Sequence, residues 1–233
     1  MSSSPLVLVI EDEPQTRRFL RPVLKNRGFR LIEASTGRMG LEEAAAKRPE
    51  IILLDLGLPD IDGVEVTRKL REWSFVPIIV LSVRDREEEK IEALDAGADD
   101  YLTKPFGAGE LLARMRVVQR HVLRAGAGAP QAAPFVSSGD LRIDLVNRIV
   151  TVAGEDVHLT PTEYELLAVL LRSPGKVITH RALLKEVWGN AYADHVEYLR
   201  VYMAQLRRKL EPDQARPRYI ITEPGVGYRI RVD

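Results

Sequence analysis

Ile51-Ile52-Leu53-Leu54-Asp55-Leu56-Gly57-Leu58-Pro59 decides the fold. Four aliphatic residues in succession suit a strand covered on both faces, as in a parallel sheet between helix layers. Asp55 ends the run, and a carboxylate is costly to bury without a partner. Gly57 and Pro59 then turn the chain. One carboxylate is thereby set at the carboxyl end of a core strand, where open α/β sheets hold their ligands.

Four more apolar runs flank this one: Leu6–Ile10, Phe29–Ala34, Ile78–Leu81 and Tyr101–Thr103. Between the five lie apolar residues at helical spacing, at Phe19/Leu20/Val23/Leu24, Leu41/Ala44/Ala45, Val66/Leu70, Ile91/Leu94 and Leu111/Leu112/Met115. Thr36, Asp62 and Asp85 stand where helix N-caps belong. Pro22 falls inside the first helical segment and is expected to kink or shorten it. Five successive βα units predict a doubly wound parallel sheet over residues 1–121.

Chemistry gathers at the carboxyl ends of these strands. Glu11-Asp12 follow the first, Asp55 the third, Ser82 the fourth and Lys104-Pro105 the fifth. Three clustered carboxylates repel one another unless a cation sits among them. Acids before a helix also suit its dipole, but the company of Asp55 and Lys104 favours a metal site. Mg2+ takes all-oxygen ligands and is usually held by a few carboxylates plus a phosphate. Asp55 beside Mg2+ can act as nucleophile on a phosphoryl group, with Lys104 neutralising its oxygens. Ser82 would hydrogen-bond the phosphoryl group once present, and Tyr101 would turn inward as the loop beside Ser82 moves.

At 233 residues the chain is long enough for two domains, and at 45% hydrophobic and 29% charged it is ordinary for a globular protein. No cysteine is present, which excludes disulfides, thiolate metal sites and a cysteine nucleophile. The opening Met-Ser-Ser-Ser-Pro has no signal-peptide pattern, and no apolar run approaches membrane-spanning length. A cytosolic protein is expected. Net charge is zero, but residues 122–233 carry 15 basic against 13 acidic side chains, and Leu199–Arg231 holds eight against three. That local excess suits an anionic partner.

Residues 122–134, rich in Gly and Pro, read as a flexible linker. Beyond it, over 135–233, Leu141–Ile143, Arg148–Val152 and Val157–Leu159 alternate like short antiparallel strands. Thr160-Pro161-Thr162-Glu163 is a helix start, with a cap, a proline at the first position and a glutamate three on. A second helix starts at Thr179 and a third runs from about His195 to Leu210. The pair resembles a helix-turn-helix, although the Gly189–Asp194 connection is longer than its simplest form. Periodicity assigns Val196, Leu199, Met203, Leu206 and Leu210 of the third helix to the core. Tyr198, Arg200, Val201, Tyr202, Gln205, Arg207, Arg208 and Lys209 are left on its other faces, a set suited to base edges and phosphates. Arg218–Ile230 reads as a hairpin.

Glu11-Asp12, Asp55, Ser82, Tyr101 and Lys104-Pro105 together resemble the receiver domain of bacterial two-component response regulators over residues 5–121. The helix with terminal hairpin, and Gly225-Val-Gly-Tyr228-Arg229 within it, resembles the winged helix-turn-helix effector of the OmpR/PhoB class. The resemblance implies phosphorylation of Asp55 by a sensor histidine kinase. It also implies Mg2+ held partly by the Gly57 carbonyl, and a cis Lys104–Pro105 bond. Lys90, Asp95, Asp99, Asp100, Glu110, Arg114 and Arg116 would form the face through which two receivers pair, with Lys90–Glu110 and Asp100–Arg114 as pairs between copies. The recognition helix would enter the major groove of double-stranded promoter DNA. Thr222, Tyr228 and Arg229 would approach the backbone or minor groove, and the 189–194 loop would face RNA polymerase. Glu223-Pro224 replaces the basic wing tip of many relatives. Asp55-Leu-Gly-Leu-Pro, Ala93–Tyr101 and Tyr198–Met203 resemble the branch that controls a potassium-pump operon.

Two other chemistries are open to an α/β sheet of this kind. A haloacid-dehalogenase-type hydrolase needs a second Asp two residues after the nucleophile, where this chain has Gly57. A flavodoxin-like flavoprotein needs a Ser/Thr/Gly phosphate loop after the first strand, where Glu11-Asp12-Glu13 stand instead. A regulator rather than a turnover enzyme is the expected outcome.

Overall fold

A computed structural model describes residues 4–84, 86–126 and 135–232, with no side-chain account for 120–126. The chain divides into two compact units, 1–116 and 117–233. In the first, β1 (Leu6–Ile10), β2 (Arg30–Ala34), β3 (Ile51–Asp55), β4 (Ile78–Ser82) and β5 (Asp100–Thr103) form one parallel sheet in the order β2-β1-β3-β4-β5. All five fall on the apolar runs of the sequence. Ile51 to Leu56 are buried throughout, each large side chain contributing roughly 1.5–3 kcal/mol relative to exposure. Because β1 neighbours both β2 and β3, the chain winds outward in both directions from it. Such a reversal opens a crevice at the carboxyl ends of β1 and β3.

The helices between the strands are α1 (Pro14–Lys25), α2 (Gly37–Lys47), α3 (Gly63–Arg71) and α4 (Glu87–Asp95), and α5 (Ala108–Gly126) follows β5. Thr36 caps α2 by accepting the Met39 N–H at 3.2 Å, and Asp62 caps α3 by accepting that of Val64 at 2.8 Å. Arg86 precedes α4, and the expected cap at Asp85 lies outside the described residues. Pro22 does not end α1. The helix runs three residues further, and the Pro22 carbonyl still accepts the Asn26 N–H at 3.0 Å. α5 continues to Gly126, five residues into the stretch expected as linker. The rest of that linker, 127–134, lies outside the described residues.

The second unit contains a four-stranded antiparallel sheet of β6 (Phe135–Ser138), β7 (Leu141–Asp144), β8 (Ile149–Val152) and β9 (Glu155–Asp156). The expected strand at Val157–Leu159 is not formed. β9 is two residues long, and beyond it only the Val157 N–H continues the pairing, to the Val150 carbonyl at 2.7 Å. α6 (Pro161–Leu171) begins with a full capping box. Thr160 Oγ1 accepts the Glu163 N–H at 3.3 Å, and the Glu163 carboxylate accepts the Thr160 N–H at 2.6 Å. α7 (His180–Val187) and α8 (Val196–Leu210) follow, with a short 3-10 turn at Asn190–Tyr192 filling the long connection.

The terminal hairpin, β11 (Ile220–Glu223) and β12 (Gly227–Ile230), gains a third strand that periodicity did not reveal, β10 (Ile178–Thr179). Gly227 is required there. A Cβ at that position would lie inside the Ile178 carbonyl. A helical core carrying this three-stranded sheet is a winged helix-turn-helix.

Candidate functional site

Register builds the acidic rim. Ile10 pairs with Leu54 across β1 and β3, which brings Glu11, one residue past its strand, beside Asp55. On the other side Ser82 pairs with Thr103, and the Lys104 N–H donates to the Ser82 carbonyl at 2.7 Å. Lys104 Nζ then reaches back to Asp55 Oδ2 at 2.6 Å and Glu11 Oε2 at 2.8 Å. Glu11 is fully buried and Asp55 nearly so, whereas Asp12 is exposed. The Lys104–Pro105 bond is cis. Gly63 lets α3 start directly against β3, since a Cβ there would meet the Asp55 carbonyl.

The electrostatics follow from burial and proximity. Burial, against the opposing pull of Lys104 and with the charge of Asp55 adding to it, raises the Glu11 carboxyl to about 7. Burial works to lower Lys104, but the hydrogen bonds it donates to Asp55 and Glu11 outweigh it and hold the ammonium above its ordinary value. Oxygens of Glu11, Asp12 and Asp55 lie within 4.8 Å of one another. An all-oxygen set of three carboxylates, one of them raised by burial, fits a hard divalent cation such as Mg2+. Beside it opens a cleft of about 530 Å3 whose lining includes Lys104, Pro105, Phe106 and Phe19.

Ser82 and Tyr101 are both buried on the same side of this rim. Ser82 Oγ accepts the Arg84 N–H at 3.1 Å, and the Tyr101 hydroxyl donates to the Arg84 carbonyl at 2.7 Å. Tyr101 is therefore turned inward in this structure. Burial raises its phenol pKa, with a hydrogen bond to Ser82 acting in the opposite direction.

In the second unit, the faces of α8 differ from those drawn by periodicity. Tyr198, Val201, Tyr202 and Gln205, expected to be accessible, are buried. Tyr202 packs on Trp188 with ring centroids 5.2 Å apart, and Tyr198 on Tyr192 at 5.7 Å. The helix is covered on more than one side, because it packs against α6 and α7 while Arg207 ties it to the Ile220 carbonyl at 2.7 Å. What faces outward is the stripe Arg200, Ala204 and Arg208, with Arg207 half-exposed beside it. Ala204 was missed, since a small residue carries no polar signal. On the wing, Thr222 is exposed and accepts from Arg207 at 2.6 Å. Arg229 pairs with Glu223 at 2.8 Å, and Tyr228 is buried next to His180. Tyr228 is thus a packing residue rather than a surface one.

Comparison with known proteins matches residues 7–116 to the response regulator receiver domain and 154–230 to the C-terminal domain of transcriptional regulatory proteins. The chain is 56% identical to the KDP operon transcriptional regulatory protein KdpE of Escherichia coli, over 96% of this chain and 97% of that one. To the transcriptional regulatory protein KdpE of Mycobacterium tuberculosis it is 51% identical, over 96% and 98%. The chain belongs to the response regulators, and is KdpE-like. Among solved structures, a RitR variant superposes with a TM-score of 0.79 at 28% identity, covering 98% of this chain and all of that one. Response regulator DrrB of Thermotoga maritima, an OmpR/PhoB homolog, gives 0.50 at 29% identity over 97% and 99%.

In this response regulator the residues expected on a pairing face are not all accessible. Asp99 is buried and internal. It pairs with Arg71 at 2.8 Å and accepts the Ile78 N–H at 3.0 Å. Asp100, also buried, pairs with Arg114 of the same chain at 3.0 Å, and Arg114 reaches Glu110 at 3.0 Å. Asp100–Arg114, expected between two copies, is made within one. Asp95, Glu110 and Arg116 are exposed, and Lys90 is half-exposed. Three arginines were not singled out by sequence. Arg71 also donates to the carbonyls of Gly97 and Val76, Arg17 holds the carbonyls of Glu11 and Asp12, and Arg84 gathers both Ser82 and Tyr101. Nothing in their spacing marks them: Arg71 meets Gly97 and Asp99 only through the fold, and Arg17 and Arg84 act through backbone groups that carry no side-chain signal.

Proposed function

We propose that Asp55 accepts a phosphoryl group from a sensor histidine kinase, and that this modification controls binding to promoter DNA of a potassium-transport operon. One observation carries the reading. Asp55 is held at a strand end between Lys104 and two further carboxylates, with its Oδ1 accepting the Gly57 N–H at 3.0 Å. Glu11, Asp12, Asp55 and the Gly57 carbonyl would hold Mg2+, which when bound offsets charge on the phosphoryl oxygens. Lys104 supplies a second positive charge at that rim, and Ser82 a hydroxyl for a phosphoryl oxygen. The open cleft beside Lys104 gives a kinase room to approach. Glycine in place of a second aspartate at position 57 removes the general acid that turnover on small phosphates requires, so the site serves as a switch.

The exposed remainder of the α4–β5–α5 face (Lys90, Asp95, Glu110 and Arg116) supports pairing of receivers. Arg200, Arg208, Arg207 and Thr222 would contact DNA, a reading supported by the outward stripe that holds the first two. The 189–194 connection is the segment offered to RNA polymerase. The regulator would act in the cytoplasm, where its DNA lies; among the described residues no helix is long and apolar enough to cross a membrane. Incubation with labelled acetyl phosphate and Mg2+ tests the central claim. Wild type should incorporate label and Asp55→Ala should not. Label persisting in Asp55→Ala would mean that another residue is the acceptor.

A further inference from the structure

Arg84 is where the two switch side chains meet, and it carries a third contact of its own. Its backbone N–H goes to Ser82 and its carbonyl receives Tyr101. Its guanidinium donates to Asp62 Oδ2 at 2.8 Å. The first two contacts are available to any residue, so only the third depends on arginine. Asp62 is a fixed post rather than a free surface acid, because its Oδ1 caps α3 through the Val64 N–H. The start of α3 is in turn pressed onto β3 at Gly63.

We propose that the Arg84–Asp62 ion pair is a latch that holds the loop after β4 against α3 and so keeps Tyr101 in its inward position. The inference rests on the reading of Ser82 and Tyr101 as the switch. A phenol buried as Tyr101 is needs a hydrogen-bond partner, and the Arg84 carbonyl supplies one only while the loop stays in place. Both partners of the pair are part-exposed, at 34% and 45%, so the contact is weak and screened by salt. Weakness suits the task. A contact of this size moves a near-balanced two-state equilibrium by about two- to fivefold, without locking it.

The test uses the full chain labelled with 3-fluorotyrosine and no phosphoryl donor. Fluorine NMR reports Tyr101, its resonance being assigned by its loss in Tyr101→Phe. Arg84→Ala should lower the ratio of inward to outward Tyr101 about two- to fivefold, and Arg84→Lys should keep most of it. Asp62→Ser keeps a cap for α3 but is too short to reach Arg84. It should match Arg84→Ala, and the double variant should lose no more than either single one. A Tyr101 signal unchanged in both single variants, or two losses that add in full, would overturn the latch. Loss of Asp55 labelling would instead remove the phosphoacceptor reading, a separate result because no donor enters this measurement.

Discussion

Glu11, Asp12, Asp55 and Lys104 form a charge balance that an added cation must change. A carboxyl whose folded pKa stands above its unfolded one makes the fold less stable as pH rises between the two. For Glu11 that window runs from 4.5 to about 7. Mg2+ binds the ionised form, so its stabilising effect should grow from pH 6 to pH 8 and then level. At a hundredfold excess over Kd the gain is about 2.7 kcal/mol, a shift of several degrees in the receiver melting curve. Asp12→Ala removes an exposed oxygen donor, so it should cost the apo fold little while abolishing most of this gain. Differential scanning calorimetry with and without Mg2+ checks both points, and an undiminished gain in Asp12→Ala would remove that residue from the site. These four residues were legible in the sequence because each stands at the end of a strand-like run, within two residues of its last position. Asp99 was not. A buried acid paired with Arg71 looks, in sequence, like any charge on a helix face, and only the path of the chain brings Arg71 to it.

At the scale of elements, the five strands and most helix starts were readable from alternation, apolar runs and caps, since those signals are local. The faces of α8 were not, for the same reason. An amphipathic stripe assumes one buried side, whereas α8 packs on α6 and α7 and is tied to the wing through Arg207, and aromatic residues serve equally well inside or out. The consequence is measurable. Tyr202, stacked on Trp188, belongs to the core, and Tyr202→Ala should destabilise the second unit by about 3–5 kcal/mol. Trp188 is buried in that unit and Trp73 is half-exposed in the receiver, so the shift of the Trp188 fluorescence transition in urea, followed in Trp73→Phe, isolates the effect. Retained stability with altered DNA preference would return Tyr202 to the recognition surface. Arg200→Ala and Arg208→Ala should do the opposite, weakening DNA binding with little change in unfolding.

At the scale of the whole molecule, zero net charge leaves no general attraction for DNA, so binding depends on the basic stripe of each copy. One winged helix offers few cations and is expected to bind weakly at physiological salt. The proposed receiver pairing would add no base contact; it would bring a second winged helix to an adjacent half-site, and tethering of this kind raises avidity by about 10²–10⁴ when both sites are in reach. Phosphorylation should therefore strengthen binding to DNA carrying two directly repeated half-sites by at least about tenfold, and leave a single half-site nearly unaffected. Gel shifts on the two DNAs, at one stated salt near 0.15 M and with acetyl phosphate present or absent, separate the cases. Asp55→Ala should show the weak, donor-independent value on both. An equal gain on one half-site would mean that the phosphoryl group acts inside a single chain, by freeing or reshaping its own DNA-binding unit, and pairing through the α4–β5–α5 face would then have no part in the response.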